Sequence, residues 1–237
     1  MHINRMKKKV LITGCAGFIG SHLVDFLLKK NFKIVGLDNL STGKKLFLNK
    51  SIKNKNFTFY KVDLLNKDIS NYFKNIDTVY HLAANADVRF GLKHTKKDIN
   101  QNIIVTYKVL EAMKKNNVKN IMFSSTGSVY GESKQIPTKE FAPFPIQTSL
   151  YGASKISAEG IISAYSEGFN FKCHIFRFVS ILGERYSHGH VFDFVKQLKA
   201  HKEKLFVLGD GNQRKSYLNI KDCITGIFIS MNFLKKK

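Results

Sequence analysis

The chain has 237 residues, 43% hydrophobic and 12% aromatic, enough for one large α/β core and too apolar for wholesale disorder. Its 16 glycines against 3 prolines exclude collagen-like and proline-rich architectures. Lysine and arginine total 39 against 17 acidic residues, a formal charge of +22. The basic residues fall in small groups such as Lys7–Lys9, Lys44–Lys45, Lys114–Lys115 and Lys235–Lys237, which read as solvated faces.

In chain order, Val10–Ile12 reads as a short buried strand, followed by a glycine turn and a helix over 18–30. Lys33–Leu37, Phe57–Tyr60 and Thr78–His81 read as the second, third and fourth strands. Ile103, Tyr107, Leu110 and Met113 recur at helical spacing and predict a long helix over 96–115. Asn120–Ser124 is the predicted fifth strand, a helix covers 150–167, and Lys172–Phe176 is the predicted sixth strand. Repeated strand–helix–strand units imply an α/β fold, a Rossmann-like doubly wound parallel sheet with helices on both faces. Past Arg177 the segments shorten and Gly183, Gly189, Gly209 and Gly211 punctuate the chain, before a last helix over 222–233. The expected division is a dinucleotide-binding domain over 1–176 and a small, partial substrate-binding region over 177–237.

No nucleic-acid motif accompanies the charge, so no nucleic-acid partner is expected. Cys15, Cys173 and Cys223 are too few and too scattered for a disulfide framework or a zinc site, which fits a reduced, cytoplasmic setting with no metal. No apolar run reaches the length of a membrane span, so no membrane partner is expected. The basic start leads into an apolar stretch that breaks at Thr13-Gly14, unlike a signal peptide, and Met6 is an alternative start.

The chemistry begins at residues 13 to 20, Thr-Gly-Cys-Ala-Gly-Phe-Ile-Gly, between the first strand and the first helix. Gly14 permits the tight turn, Gly17 lets the backbone approach a pyrophosphate, and Gly20 packs the helix on the sheet. The helix N-terminus then offers N–H groups and partial positive charge to the phosphates, with Phe18 and Ile19 in its first turn. Asp38 ends the next strand about 20 residues on, as a dinucleotide fingerprint requires. It would accept hydrogen bonds from the adenosine ribose and repel a 2′-phosphate, so NAD is expected over NADP, although Lys44 and Lys45 would offset part of that repulsion. A plain turn aspartate in Asp38-Asn39-Leu40-Ser41 is the alternative.

Tyr151-Gly-Ala-Ser-Lys155 places two side chains on one helix face. A free tyrosine, with a pKa of about 10, is a poor base at neutral pH. A nearby ammonium and an oxidised nicotinamide would both favour the phenolate; a shift of about 3 units corresponds to about 4 kcal/mol. Tyr-x-x-x-Lys alone is common. Behind a dinucleotide loop, and after a strand ending Ser124-Ser125-Thr126, it becomes a candidate catalytic set.

These pieces, with Asp63-Leu64, His81–Ala84, Asp87–Arg89, Ser124–Gly131 and Gly209–Arg214 in order along the chain, resemble the extended short-chain dehydrogenase/reductase family. The pattern is nearest to its nucleotide-sugar epimerases that act on UDP-glucose. The resemblance implies NAD as cofactor, a UDP-sugar as substrate, and a homodimer through the helices at 96–115 and 150–167. It implies that Asp63 and Leu64 flank the adenine, that Leu82, Ala83 and Ala84 line the cofactor groove, and that Asn102 and Val179 lie on the cofactor side. It further implies that Thr126 bonds the sugar hydroxyl being oxidised, beside Ser125. Tyr151 would be the acid/base, Lys155 would hold the nicotinamide ribose, and Arg214 would clamp the diphosphate.

The implied reaction oxidises the sugar at C4 and reduces the 4-keto sugar from its other face, regenerating NAD. Family dehydratases carry an Asp-Glu pair, and decarboxylases a glutamate, where this chain has Gly127 and Ser128, so epimerisation is favoured. UDP-N-acetylhexosamine and UDP-glucuronate remain alternative substrates. Ser180 replaces an asparagine usual near the substrate phosphate, and the family pattern continues past Lys237. The chain therefore reads as C-terminally incomplete, and a cofactor-binding protein with impaired catalysis is the rival reading. His81 reads as a satisfied strand-end histidine, and His188 and His190 as substrate-side residues without a third metal ligand. Cys15 reads as a filler that would make the loop oxidation-sensitive. Asp38 generates a first prediction. Titration of the protein with both dinucleotides gives tighter binding of NAD, and equal or tighter NADP binding would refute the reading of this residue.

Overall fold

β1 (Lys9–Thr13) forms because Val10, Leu11 and Ile12 can be buried on both faces of a parallel sheet. Side chains alternate across a strand, so Val10 and Ile12 enter one core and Leu11 the other. The structure is a computed structural model that describes residues 8–86, 90–133, 135–187 and 189–233. Met6, Lys7, Asp87–Arg89, His188 and Lys235–Lys237, singled out in the sequence, lie outside the described residues.

Six parallel strands form the main sheet in the order β3-β2-β1-β4-β5-β6. They are β1, β2 (Lys33–Asp38), β3 (Phe57–Lys61), β4 (Thr78–His81), β5 (Asn120–Thr126) and β6 (Lys172–Phe178). The chain winds outward in one direction from β1 to β3, then crosses back to β4 and winds the other way. The carboxyl ends of β1 and β4 therefore part at a topological switch point, where such sheets bind ligands. This is the doubly wound sheet expected from the sequence.

α1 (Phe18–Lys29) covers one face with Leu23, Val24 and Leu27. The other face is covered by a helical run and by α5 (Leu150–Phe169). The run comprises α2 (Phe90–Lys93), α3 (Thr95–Asp98), a π-helical segment (Ile99–Ile104) and α4 (Val105–Lys115). The sequence predicts one regular helix here; the wide π turn falls where Asn102 is drawn inward to bond Asn85 and Ser154. The Ser149 side chain caps α5 by accepting from Gly152 N at 3.0 Å, and left-handed Asn170 (φ +54°) ends it.

β5 and β6 each run two residues beyond their predicted ends. Their register pairs Ser125 with Arg177 and Thr126 with Phe178, so polar residues extend the ladder to the edge of the site. Beyond β6, β7 (Ser180–Leu182) pairs in parallel with β8 (Tyr217–Asn219). α6 (His190–Ala200) lies between them in the chain and buries none of its residues fully. α7 (Ile220–Phe233) returns to the α1 layer: Ile220, Cys223, Ile224 and Ile227 share a core with Leu23 and Leu27, and Phe228 meets Phe26 edge-on at 5.2 Å. Among the described residues no helix is long and apolar enough to cross a membrane.

Truncating Ile224 to alanine removes a buried side chain from that layer. The expected cost is about 2–5 kcal/mol in urea unfolding. An unchanged midpoint would show that α7 is not part of the cooperative core.

Candidate active site

The glycine loop is shaped by close approach. Gly14 sits at φ +69°, donates its N–H to Leu37 O at 2.8 Å, and leaves only 2.8 Å between a would-be Cβ and Ala83 N. At Gly20 a Cβ would overlap the Gly14 carbonyl oxygen, so only hydrogen fits between the first turn of α1 and the loop. Gly17 precedes α1 without a side-chain cap, and the first turn holds no acidic residue. The orphan N–H groups and positive end of the helix dipole are thus free for an anion.

A cavity of about 700 Å³ opens at this switch point, within the usual range for a small-molecule site. At one end it is lined by Gly14, Gly17, Phe18, Ile19, Gly20, Asp38 and Asn39, with Leu64, Leu82, Ala83 and Ala84 beside them. Ser125, Thr126, Tyr151 and Lys155 stand on its wall, followed by Val179, Ser180 and Arg214. Two residues named from the sequence are not on this wall. Asp63 lies at a smaller recess shared with Asn39, where its carboxylate accepts from Leu65 N at 2.8 Å and Asn66 Nδ2 at 3.3 Å. Asn102 is buried behind the site: its Oδ1 accepts from Asn85 N and its Nδ2 donates to Ser154 Oγ, both at 2.8 Å. Tyr186, Gln101 and Ser216 also line the cavity and were not singled out from the sequence.

Asp38 is buried, and both carboxylate oxygens bind backbone: Oδ2 accepts from Ala16 N at 2.9 Å, Oδ1 from Leu40 N at 2.8 Å. Burial raises its pKa, while the two N–H donors act against that shift. Cys15 is fully buried, and a Cβ on Gly36 would come within 2.8 Å of its Sγ. Burial pushes its thiol well up, which disfavours the reactive thiolate. Cys15 is therefore a filler, and the oxidation sensitivity expected of it has no support.

At the other end, the i, i+4 spacing puts Tyr151 and Lys155 on the face of α5 that meets β5. Lys155 is 2% exposed, donates from Nζ to Ser124 O at 2.7 Å, and lies 4.7 Å from the centre of the Phe123 ring. Burial lowers its pKa to about 7, opposed by the charges of Glu159 and Asp98. Burial also raises the Tyr151 pKa; a hydrogen bond with Thr126 lowers it, and Asp98 raises it further. Desolvation dominates at Tyr151, and it is this burial that the ammonium and an oxidised nicotinamide, expected together from the sequence, would have to offset to favour the phenolate.

His81 is fully satisfied. The Thr106 hydroxyl donates to Asn102 O at 2.6 Å, so His81 Nε2 donates to Thr106 Oγ1 at 3.0 Å. Nδ1 then accepts the Thr13 hydroxyl at 2.8 Å, and Thr13 Oγ1 accepts from Leu82 N and Ala83 N, both at 3.2 Å. Burial, aided by the Lys155 charge, pushes the His81 pKa down to about 3. The neutral ring ties the ends of β1 and β4 together. Glu159, one turn beyond Lys155, accepts from Ser125 Oγ and from Arg177, whose Nη2 lies 2.8 Å from Oε2. Arg177 is itself held over Tyr130 at 5.0 Å and Phe144 at 4.8 Å. On the far side, His190 Nε2 bonds Tyr217 OH at 2.6 Å. The loop carrying Tyr186 is tied to α1 by Arg185 Nη2–Asp25 Oδ2 at 2.6 Å and by His22 Nε2 to Glu184 O at 2.9 Å. Among the described residues no group of three histidine, cysteine or acidic side chains could hold a metal.

The buried lysine gives a pH-dependent prediction. Its folded pKa, about 7, lies below the ordinary 10.5, so between these values the unfolded chain binds the extra proton and stability rises with pH. Lys155→Met removes that rise and is expected to stabilise the protein at pH 6 relative to wild type. Urea midpoints of both proteins from pH 6 to pH 10 check this, and parallel curves would refute it.

Residues 10–237 match the profile of the NAD dependent epimerase/dehydratase family. A putative UDP-glucose 4-epimerase of Methanocaldococcus jannaschii is 33% identical over 232 residues, covering 94% of this chain and 73% of its own length. Among solved structures, a UDP-glucuronic acid 4-epimerase from Bacillus cereus, in complex with UDP-glucuronic acid and NAD, is 34% identical with a TM-score of 0.86 over 94% of this chain and 73% of that one. A UDP-N-acetylglucosamine 4-epimerase from Methanobrevibacter ruminantium, in complex with UDP-N-acetylmuramic acid, is 32% identical with a TM-score of 0.85 over 92% and 71%. The family profile, the sequence relative and the solved structures each match over nearly the whole chain, which belongs to the NAD dependent epimerase/dehydratase family.

Proposed function

We propose that this chain is an NAD-dependent UDP-sugar 4-epimerase whose substrate pair is UDP-glucose and UDP-galactose. The observation that carries the reading is the shared wall. Thr126, Tyr151 and Lys155 stand on the same cavity whose other end holds the glycine loop and Asp38. The residues present fit the dinucleotide: an uncapped helix N-terminus for the pyrophosphate, Asp38 for the adenosine ribose, and small Ala83 and Ala84 along the groove. When bound, NAD would take up the hydride from the sugar C4 and return it.

In this reading Tyr151 takes the proton of the 4-hydroxyl and returns it to the 4-keto oxygen when C4 is reduced from its other face. Thr126 holds that hydroxyl, with Ser125 fixed beside it by Glu159. Lys155, anchored on the Ser124 carbonyl, orients the nicotinamide ribose and favours the phenolate. Arg214 takes the diphosphate and Ser180 supplies one hydrogen bond in place of an amide. Of the region expected over 177–237, residues 177–219 form the substrate side, since α7 packs in the α1 core, and the chain pairs as a homodimer through the helices expected at 96–115 and 150–167.

Epimerisation is favoured over dehydration by the charge distribution. Among the described lining residues Asp38 is the only carboxylate, and it lies at the ribose end, while Gly127 and Ser128 flank the sugar end. An elimination needs a carboxyl acid or base next to the sugar, and the described lining residues supply none there. Arg214, Lys215 and His190 on the substrate side would also tolerate an acidic sugar, which makes UDP-glucuronate the second candidate.

Conversion of UDP-galactose, UDP-glucuronate and UDP-N-acetylglucosamine should be measured in parallel with bound NAD. UDP-galactose is expected to give the highest kcat/KM. Tyr151→Phe is expected to keep NAD binding and lose about 100-fold or more in kcat. A wild-type chain that binds NAD and converts none of the three would overturn the proposal.

A further inference from the structure

Asp98, the last residue of α3, is fully buried, and among the described residues its Oδ2 meets no hydrogen-bond donor. Its Oδ1 accepts from Asn85 Nδ2 at 2.7 Å and, at the limit of a hydrogen bond, from Asn102 Nδ2 at 3.5 Å. Gly91 of α2 is pressed against the free oxygen: a Cβ at that position would overlap Oδ2. A buried carboxylate with an empty lone-pair site is costly, and such groups persist where the charge itself is used.

The surroundings show what it acts on. Asn102 Nδ2 donates to Ser154 Oγ at 2.8 Å, and the Ser154 hydroxyl donates to Tyr151 O at 2.8 Å. The carboxylate is thus linked through two side chains to the first turn of α5. Lys155 is faced by Glu159 on its own helix, by neutral His81 on β4, by the Ser124 carbonyl and Phe123 ring on β5, and by Asp98. Glu159 is shared with Arg177 and Ser125. Tyr151 is faced by Thr126 and by Asp98. Among the described residues, Asp98 is the charge that acts on both members of the pair.

We propose that Asp98 is a positioning residue of the Tyr151–Lys155 pair, a buried anion behind α5 that sets the protonation of both groups while Asn102 and Ser154 hold their helical turn. This rests on the acid/base reading given above. The sign is definite. An anion favours the ammonium over the neutral amine and the phenol over the phenolate, so its removal moves both titrations to lower pH.

The test is Asp98→Asn, close in shape and without the charge. Lys155 titrates near neutrality, apart from the surface lysines, so its side-chain carbon resonance can be followed by NMR and assigned by its loss in Lys155→Met. The Lys155 midpoint is expected to fall by about one pH unit in Asp98→Asn, and both limbs of the kcat/KM profile to move the same way. Asp98→Ser carries the same expectation should Asp98→Asn not fold. Lowered activity with an unmoved Lys155 midpoint would reduce Asp98 to a packing role and overturn the proposal. A wild-type protein without epimerase activity would overturn the function proposed above, yet leave the Lys155 titration readable.

Discussion

A lysine ammonium cut off from water has to be held by the protein, and the arrangement around Lys155 sets much of the architecture. Its hydrogen-bond acceptor is the Ser124 carbonyl, on the part of β5 that runs past the end of β4 while still paired with β6. Its flat apolar neighbour is Phe123 from the same strand. Its compensating charges come from one turn along α5 and from α3 across the layer. Moving β5, α5 or the π-helical segment would leave the ammonium exposed to an apolar core, so these three elements are bound to one geometry.

The same economy links the two ends of the cavity. His81 ends β4 and joins Thr13 of β1 to Thr106 of α4, so the strand ends that flank the switch point cannot separate freely. The α1 turn lies against that junction because Gly14 and Gly20 carry no side chain. An anion at the helix N-terminus and a proton carrier on α5 are therefore registered by one sheet edge rather than by separate loops. Loops 183–187 and 209–216, which border the other side, are tied down mostly by surface contacts such as Arg185 with Asp25.

The parts legible in the sequence are those encoded by local spacing. The central strands show as apolar runs because both their faces are buried, and the glycine loop and Tyr151/Lys155 show as fixed intervals. The last two residues of β6, Arg177 and Phe178, fell beyond the predicted strand and enter it only through their pairing with Ser125 and Thr126. The Glu159–Arg177 bond joins residues that only the α5-to-β6 turn brings together. Tyr186 reaches the wall through the path of an irregular loop, for which no periodicity exists. Asp63 and Asn102 were assigned through resemblance, and the fold gives each a dense set of internal partners away from the main wall.

Asp38 has a consequence for altering the dinucleotide preference. The carboxylate that would reject a 2′-phosphate is also the clasp between the glycine loop, through Ala16, and the following turn, through Leu40, whose backbone is left-handed at φ +62°. Gly43 packs so tightly on it that a Cβ would stand 2.9 Å from Oδ1. A neutral or basic replacement would discard charge and scaffold together. Retargeting this chain to the phosphorylated dinucleotide therefore calls for redesigning the 39–43 turn as a unit, with a new acceptor for the Ala16 and Leu40 amides, before any cation is placed there.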